Sequence, residues 1–122
     1  MIIDDAADSC EPLMLYLKRL GHEVTCVPNG REALVAVIAK PPDVVVLDLV
    51  MPEMDGASFL EVVRSYSRLH ALRVVVLTGL PDSLMVERAR HLKVDAILLK
   101  AKATFEDIRK AVEQSADRPA DA

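Results

Sequence analysis

Few aromatic side chains, only two cysteines and no long apolar run mark this chain of 122 residues, and each shortage removes a class of function. Aromatics make up 3% of the residues and the first loop is acidic, so a flavin-binding electron carrier would lack both its stacking partners and its Ser/Thr-rich phosphate loop. No apolar stretch approaches the roughly 20 residues that cross a bilayer, so a membrane is not an expected partner. A formal net charge of -4 supplies no broad cationic field for phosphate backbones, which sets nucleic acid aside as a direct partner. Cys10 and Cys26 show neither CxxC nor metal-ligand spacing, and no signal peptide precedes the first apolar run. Both thiols are therefore expected to stay separate and reduced, as small core or surface residues of a cytoplasmic protein. His22, His70 and His91 read as surface residues. No internal repeat or low-complexity segment breaks the chain.

What the chain does have is apolar mass: 52% hydrophobic against 28% charged residues, enough for one domain that buries roughly two-thirds of its unfolded surface. The densest part runs from Val44 to Gly56, VVVLDLVMPEMDG, where an apolar run meets the lone carboxylate of Asp48 and then a Met-Pro and an Asp-Gly turn. A short β-branched run bounded by turn signals predicts a strand buried on both faces, as inside a parallel sheet. Asp48 then stands at its carboxyl end, the edge of an open α/β sheet where ligands collect. Alone, it could equally be a turn-capping aspartate.

The remaining chain alternates strand and helix. Met1 to Ile3 is a brief apolar run ending in Asp4-Asp5. Asp8-Ser9-Cys10-Glu11 has capping-box spacing, so the first helix is expected to start between Asp8 and Glu11, with Pro12 in its first turn and Gly21 as its stop. Glu23 to Val27 alternates as a second strand, and Pro28-Asn29-Gly30 turns into a helix over Arg31 to Ala39. A third helix follows Gly56 and ends near Tyr66. Arg73 to Leu77 is a strand ending in Thr78-Gly79, and Pro81-Asp82-Ser83 opens a helix to about Leu92. Ala96 to Leu99 is the fifth strand, ending in Lys100, and Thr104 to Asp107 caps a last helix to about Ala116. Residues 1–116 form the expected domain and 117–122 a polar tail or the start of a linker. Five strands alternating with five helices predict a three-layer α/β/α sandwich on a parallel sheet, because each crossover must be right-handed.

A parallel sheet brings every strand's carboxyl end to one edge, which collects Asp4, Asp5, Asp48, Thr78 and Lys100. Crowded carboxylates repel, and a divalent cation relieves them; Mg2+ suits, since it accepts one or two carboxylates, a carbonyl and several waters. Asp48 could then act as nucleophile toward a phosphoryl group while the cation and the Lys100 ammonium neutralise the incoming charge. Thr78 would hydrogen-bond a phosphoryl oxygen.

With these residues assembled, the sequence resembles the receiver domain of two-component response regulators from Ile2 to about Ala116. IIDDA resembles the acidic pair, LDLVMPEMDG the phosphoacceptor loop, VVVLTG the switch hydroxyl and AILLK the lysine strand; 43 residues separate Asp5 from Asp48, 30 more lead to Thr78 and 22 more to Lys100. The resemblance implies the flavodoxin-like strand order 2-1-3-4-5. It further implies a phosphorylation-dependent switch in a phosphorelay rather than a metabolic enzyme, with at most self-catalysed phosphotransfer and dephosphorylation. Asp48 would be charged by a sensor histidine kinase or phosphotransfer protein, or by a small acyl phosphate. Asp5 and Asp48 would bind Mg2+ directly with the Val50 carbonyl, Asp4 through water, and Lys100 would contact the phosphoryl group. Motion of Thr78 would be relayed to the face of the fourth helix, fifth strand and fifth helix, where a target, an output domain or a second copy docks.

Three departures from the family pattern stand out: Ile97 stands where an aromatic rotor is common, Ala101 where a proline follows the lysine, and Lys93-Val94 where Gly-Ala is usual. These make a phosphorylation-independent interaction domain the rival reading. An aspartyl phosphatase would carry an acid where Val50 stands. No effector domain is visible, so a stand-alone regulator is expected in preference to a part of a longer protein.

Overall fold

The structure, a computed structural model, describes residues 1–80 and 83–118. Its elements alternate throughout: β1 (Ile2–Ile3), α1 (Ala7–Arg19), β2 (Cys26–Val27), α2 (Gly30–Ala39), β3 (Val44–Asp48), α3 (Gly56–Ser65), β4 (Arg73–Thr78), α4 (Leu84–His91), β5 (Ala96–Leu99) and α5 (Phe105–Ala116). All strands pair in parallel in the order β2-β1-β3-β4-β5, the order the resemblance implies. Period-two side-chain alternation divides the core into two layers. Ile2 and Val46 face α1 and α5, where they meet Leu13, Leu17 and Ile108. Ile3, Val45 and Leu47 face α2, α3 and α4, against Val37, Phe59, Leu60 and Val86.

The strands differ greatly in length. β3 is buried along all five of its residues and pairs with β4 from Val44–Arg73 to Asp48–Leu77. β1 and β2 contribute only two residues each, Ile2 against Cys26 and Ile3 against Val27. The expected strand over Glu23 to Val27 is thus shorter than its alternation suggested: Val24 enters the core, yet pairing begins only at Cys26.

Four helices begin on a side chain that accepts an amide N–H of the first turn: Asn29, Asp55, Ser83 and Thr104, the last in the expected capping box with Asp107. α1 is the exception. It starts on Ala6, earlier than expected, with no side-chain cap, and Pro12 lies well inside it. Asp8 and Ser9 are helical residues and form no capping box. The expected Pro81-Asp82 opening of the fourth helix lies outside the described residues, and Ser83 caps that helix.

The cysteine reading is corrected. Cys10 and Cys26 form a disulfide with their Cα atoms 6.3 Å apart, joining α1 to β2. A separation of 16 residues has no spacing signature. Only the crossover that lays β2 alongside β1 beneath α1 brings the sulfurs together.

At the opposite edge of the sheet, the guanidinium of Arg64 fastens three segments. It donates to the carbonyls of Leu92 (2.7 Å), Leu72 (2.8 Å), His70 (3.0 Å) and Lys93 (3.2 Å). Lys93 itself adopts φ 60°, the left-handed region. This explains why glycine suits that position and identifies the turn into β5 as a strained one. Among the described residues all peptide bonds are trans, including that between Lys100 and Ala101.

Candidate functional site

Three strand ends converge where the sequence placed its acids. β1 delivers Asp4 and Asp5, β3 delivers Asp48, and the three residues each offer a carboxylate oxygen, all within 4.8 Å of one another. Asp4 and Asp48 are each only 6% exposed, whereas Asp5 faces solvent. Lys100, at the end of β5, reaches across β4 so that its Nζ lies 3.2 Å from both Asp4 Oδ2 and Asp48 Oδ2.

Local backbone fixes each acid. Asp4 donates its amide to Val27 O at 3.0 Å, and its Oδ1 accepts from Ala6 N at 2.9 Å, turning the loop into α1. Asp48 Oδ1 accepts from Val50 N at 3.3 Å. The loop after it closes through Gly56 N to Leu49 O at 2.9 Å. A Cβ on Gly56 would lie 2.5 Å from the Asp48 carbonyl oxygen and 2.8 Å from Leu49 Cα. The Asp-Gly read from sequence as a turn therefore does a second job: it lets α3 seat against the backbone of the acid.

The electrostatics follow from burial. Desolvation is the largest influence on Asp48 and, with repulsion from Asp4, pushes its carboxyl above the usual range despite the attraction of Lys100. For Lys100, desolvation alone would lower the pKa, but the charges and hydrogen bonds of Asp48 and Asp4 together raise it. A buried acid pair leaning on one ammonium is short of positive charge. With Asp5 at the rim, the donor set is all oxygen, which fits a hard divalent cation such as Mg2+. Val50 is half exposed beside it.

Thr78 is fully buried one residue beyond Leu77, the register partner of Asp48, and its Oγ1 accepts from Leu80 N at 3.1 Å. Its backbone carbonyl accepts from Lys100 N at 2.8 Å, so hydroxyl and lysine are carried by directly bonded strand ends. The structure thus unites all five predicted side chains at one edge. Sequence reasoning missed the cavity beneath them. A space of about 300 Å³ between α1 and α5 is lined by Asp8, Ser9, Pro12, Leu13 and Phe105 together with Asp4, Asp48 and Lys100. Asp8 and Ser9 carry capping-box spacing in the sequence, and nothing in that spacing points to a cavity lining.

Comparison with known proteins converges on one family. Residues 1–113 match the family model of the response regulator receiver domain. A probable chemotaxis protein CheY of Rhizobium etli is 31% identical over 114 residues, covering 93% of this chain and 88% of that protein. The DNA-binding response regulator MtrA of Mycobacterium tuberculosis is 29% identical over 99% of this chain, which spans only 53% of that regulator. Among solved structures, the signal receiver domain of the putative response regulator NarL of M. tuberculosis superposes with TM-score 0.85 at 32% identity, covering 97% of this chain and 94% of that one. A putative response regulator of Chloroflexus aurantiacus gives TM-score 0.87 at 26% identity, covering 96% and 95%.

Proposed function

Because the chain belongs to the family of response regulator receiver domains, whose members are phosphorylation-dependent switches of two-component signalling, we propose that Asp48 is its phosphoacceptor. One observation carries this reading: Asp48 is buried, yet it is met by Lys100 at 3.2 Å and by Asp5 within 4.8 Å. A nucleophilic carboxylate is thereby held beside a fixed ammonium and a cation-binding set. Transfer of a phosphoryl group depends chiefly on such positioning and charge neutralisation.

Asp5, Asp48 and the Val50 carbonyl would hold Mg2+ directly, and Asp4 through water. Bound there, the cation neutralises charge on the phosphoryl oxygens. Lys100 contacts the transferred group, and Thr78 donates its hydroxyl hydrogen to a phosphoryl oxygen. The donor is a sensor histidine kinase, a phosphotransfer protein or a small acyl phosphate. The chain performs no further catalysis than its own phosphotransfer and dephosphorylation. Val50 and Leu80 cannot orient a water molecule, so the phosphoryl group is long-lived.

Residues 1–116 act as one receiver domain, with 117–122 as tail or linker. The readout is the face of α4, β5 and α5, where a target, an output domain or a second copy docks. Ile97 is stiff at χ1 and cannot act as a rotor. The Thr78-Gly79-Leu80 loop therefore carries the change. No helix among the described residues is long and apolar enough to cross a membrane, and we assign the protein to the cytoplasm.

Intact mass after incubation with Mg2+ and acetyl phosphate tests the assignment. One base-labile phosphoryl group is expected, absent from Asp48→Asn and from chelated protein. Undiminished modification of either would overturn it. Replacing Val50 or Leu80 by Glu, Asn or His should shorten the phosphoryl lifetime, followed by the same measurement over time.

A further inference from the structure

The two cysteines sit on the two segments that hold the acidic loop. Cys26 begins β2, and its neighbour Val27 accepts the Asp4 amide. Cys10 lies six residues beyond Asp4, in the part of α1 whose first turn hangs on the Ala6 carbonyl, which accepts from Ser9 N and Cys10 N at 3.0 Å each. Little else secures that turn. α1 is the one described helix without a side-chain N-cap, Pro12 removes an amide donor inside it, and β1 pairs with β2 over two residues. The disulfide therefore spans the weakest part of the sheet, next to Asp4 and Asp5.

We propose that Cys10–Cys26 is a thiol–disulfide exchange site that sets the cation affinity of the adjoining acidic loop, a proposal that rests on reading that loop as the Mg2+ site. In the cytoplasm, to which the protein is assigned above, disulfides are mostly transient, catalytic or redox-sensing. The reacting atom is Sγ of Cys26, which is half-buried, whereas Cys10 is only 2% exposed. A thiolate of a dithiol reductant attacks Cys26 Sγ. The Cys10–Cys26 bond breaks, a mixed disulfide forms, and Cys10 leaves as a thiolate that takes a proton. The reductant's second thiolate then attacks its own sulfur in the mixed disulfide, releasing Cys26. The chain gains two electrons and two protons, and the reductant becomes a disulfide. Oxidised chain ties the two flanks of the Asp4-Asp5-Ala6 loop covalently; reduced chain holds them only by the Asp4–Val27 hydrogen bond, the Ala6 hydrogen bonds to Ser9 and Cys10, and packing.

The full chain is equilibrated in dithiothreitol buffers of different dithiol-to-disulfide ratio, its thiols are counted by maleimide mass labelling, and each form is titrated with Mg2+ by amide chemical shifts. Interconversion between no free thiols and two, with Mg2+ binding at least threefold weaker in the reduced form, is expected. Cys26→Ser should bind Mg2+ like the reduced protein in every buffer, and Cys10→Ala, which places no hydroxyl at that buried position, should do the same. Two free thiols in all buffers, or Mg2+ affinities equal in both forms, would overturn the proposal. Absence of phosphoryl transfer in both forms counts against Asp48 as acceptor, while the thiol count and Mg2+ titration still decide the redox site.

Discussion

The two halves of the sheet are built to different standards. On one side, β3 and β4 are long, β-branched and almost entirely buried, with Val45, Leu47, Val74 and Val76 at 0% exposure. On the other, β1 and β2 are two residues long, and a disulfide and the Asp4–Val27 hydrogen bond supplement their pairing. Each half supplies part of the site. Asp48, the proposed nucleophile, stands on the rigid half; Asp4 and Asp5, which would complete the cation site, stand on the slight one. The reacting group is thus fixed by packing, while the groups that would complete the cation site are fixed by a few specific bonds that can be made and broken.

The contrast can be broken from the rigid side first. Leu47→Ala removes a fully buried side chain from the central strand and should cost about 2–5 kcal/mol, read as a lower midpoint in urea. Reduction of Cys10–Cys26 acts on the slight half. Opening a loop of this length should cost about 3 kcal/mol by the chain-entropy argument, visible as a lower thermal midpoint in reductant. Gly56→Ala tests the join between Asp48 and α3: overpacking against backbone should cost about 1–3 kcal/mol and shift the Asp48 amide resonance. Thr78→Ala should leave folding nearly intact but uncouple Met85 to Leu92 and Phe105 to Ala111 from a phosphoryl mimic, measured by amide shifts.

The smallest effect is electrostatic and has a definite sign. Burial raises the Asp48 pKa, so its ionised form is disfavoured by folding; the stability it offers exists in acid and is lost as pH rises through the folded value. Asp48→Asn should therefore raise the thermal midpoint slightly at neutral pH while abolishing phosphorylation. Lys100 has a raised pKa too, but as a base it contributes stability at neutral pH, which fades as pH climbs past the ordinary lysine value. In metal-free protein, Lys100→Met should move the Asp48 carboxyl titration, followed by carbon chemical shift, further upward.

Legibility in the sequence follows the same division. β3 and β4 were readable because contiguous β-branched runs need no tertiary partner to be recognised. The site was readable because a parallel sheet obliges Asp4, Asp5, Asp48, Thr78 and Lys100 to share one edge. What failed lies in the slight half. The Glu23–Val27 alternation overstated a strand, and the Asp8–Glu11 spacing imitated a cap that Asp4 makes unnecessary by turning the chain at Ala6. The cysteine pair was invisible because only tertiary packing brings α1 over β2. Lys93-Val94 in place of Gly-Ala suggested a different turn into β5, yet Lys93 adopts the left-handed backbone that glycine favours.

Arg64 gives α4 the mechanics of a lever. Its guanidinium bolts the carbonyls of Leu92 and Lys93 to α3, so the C-terminal end of the helix is a fulcrum. Under the relay proposed above, a rearrangement at Thr78 would act on the other end, which Ser83 caps. With about 1.5 Å of rise per residue, the eight residues from Leu84 to His91 make an arm of about 12 Å, so a tilt about the fulcrum would displace the Leu84 end most. Leu84, 84% exposed at that tip, travels furthest. A partner bearing on the tip would register the swing at full stroke, and one bearing on His91 would register almost none.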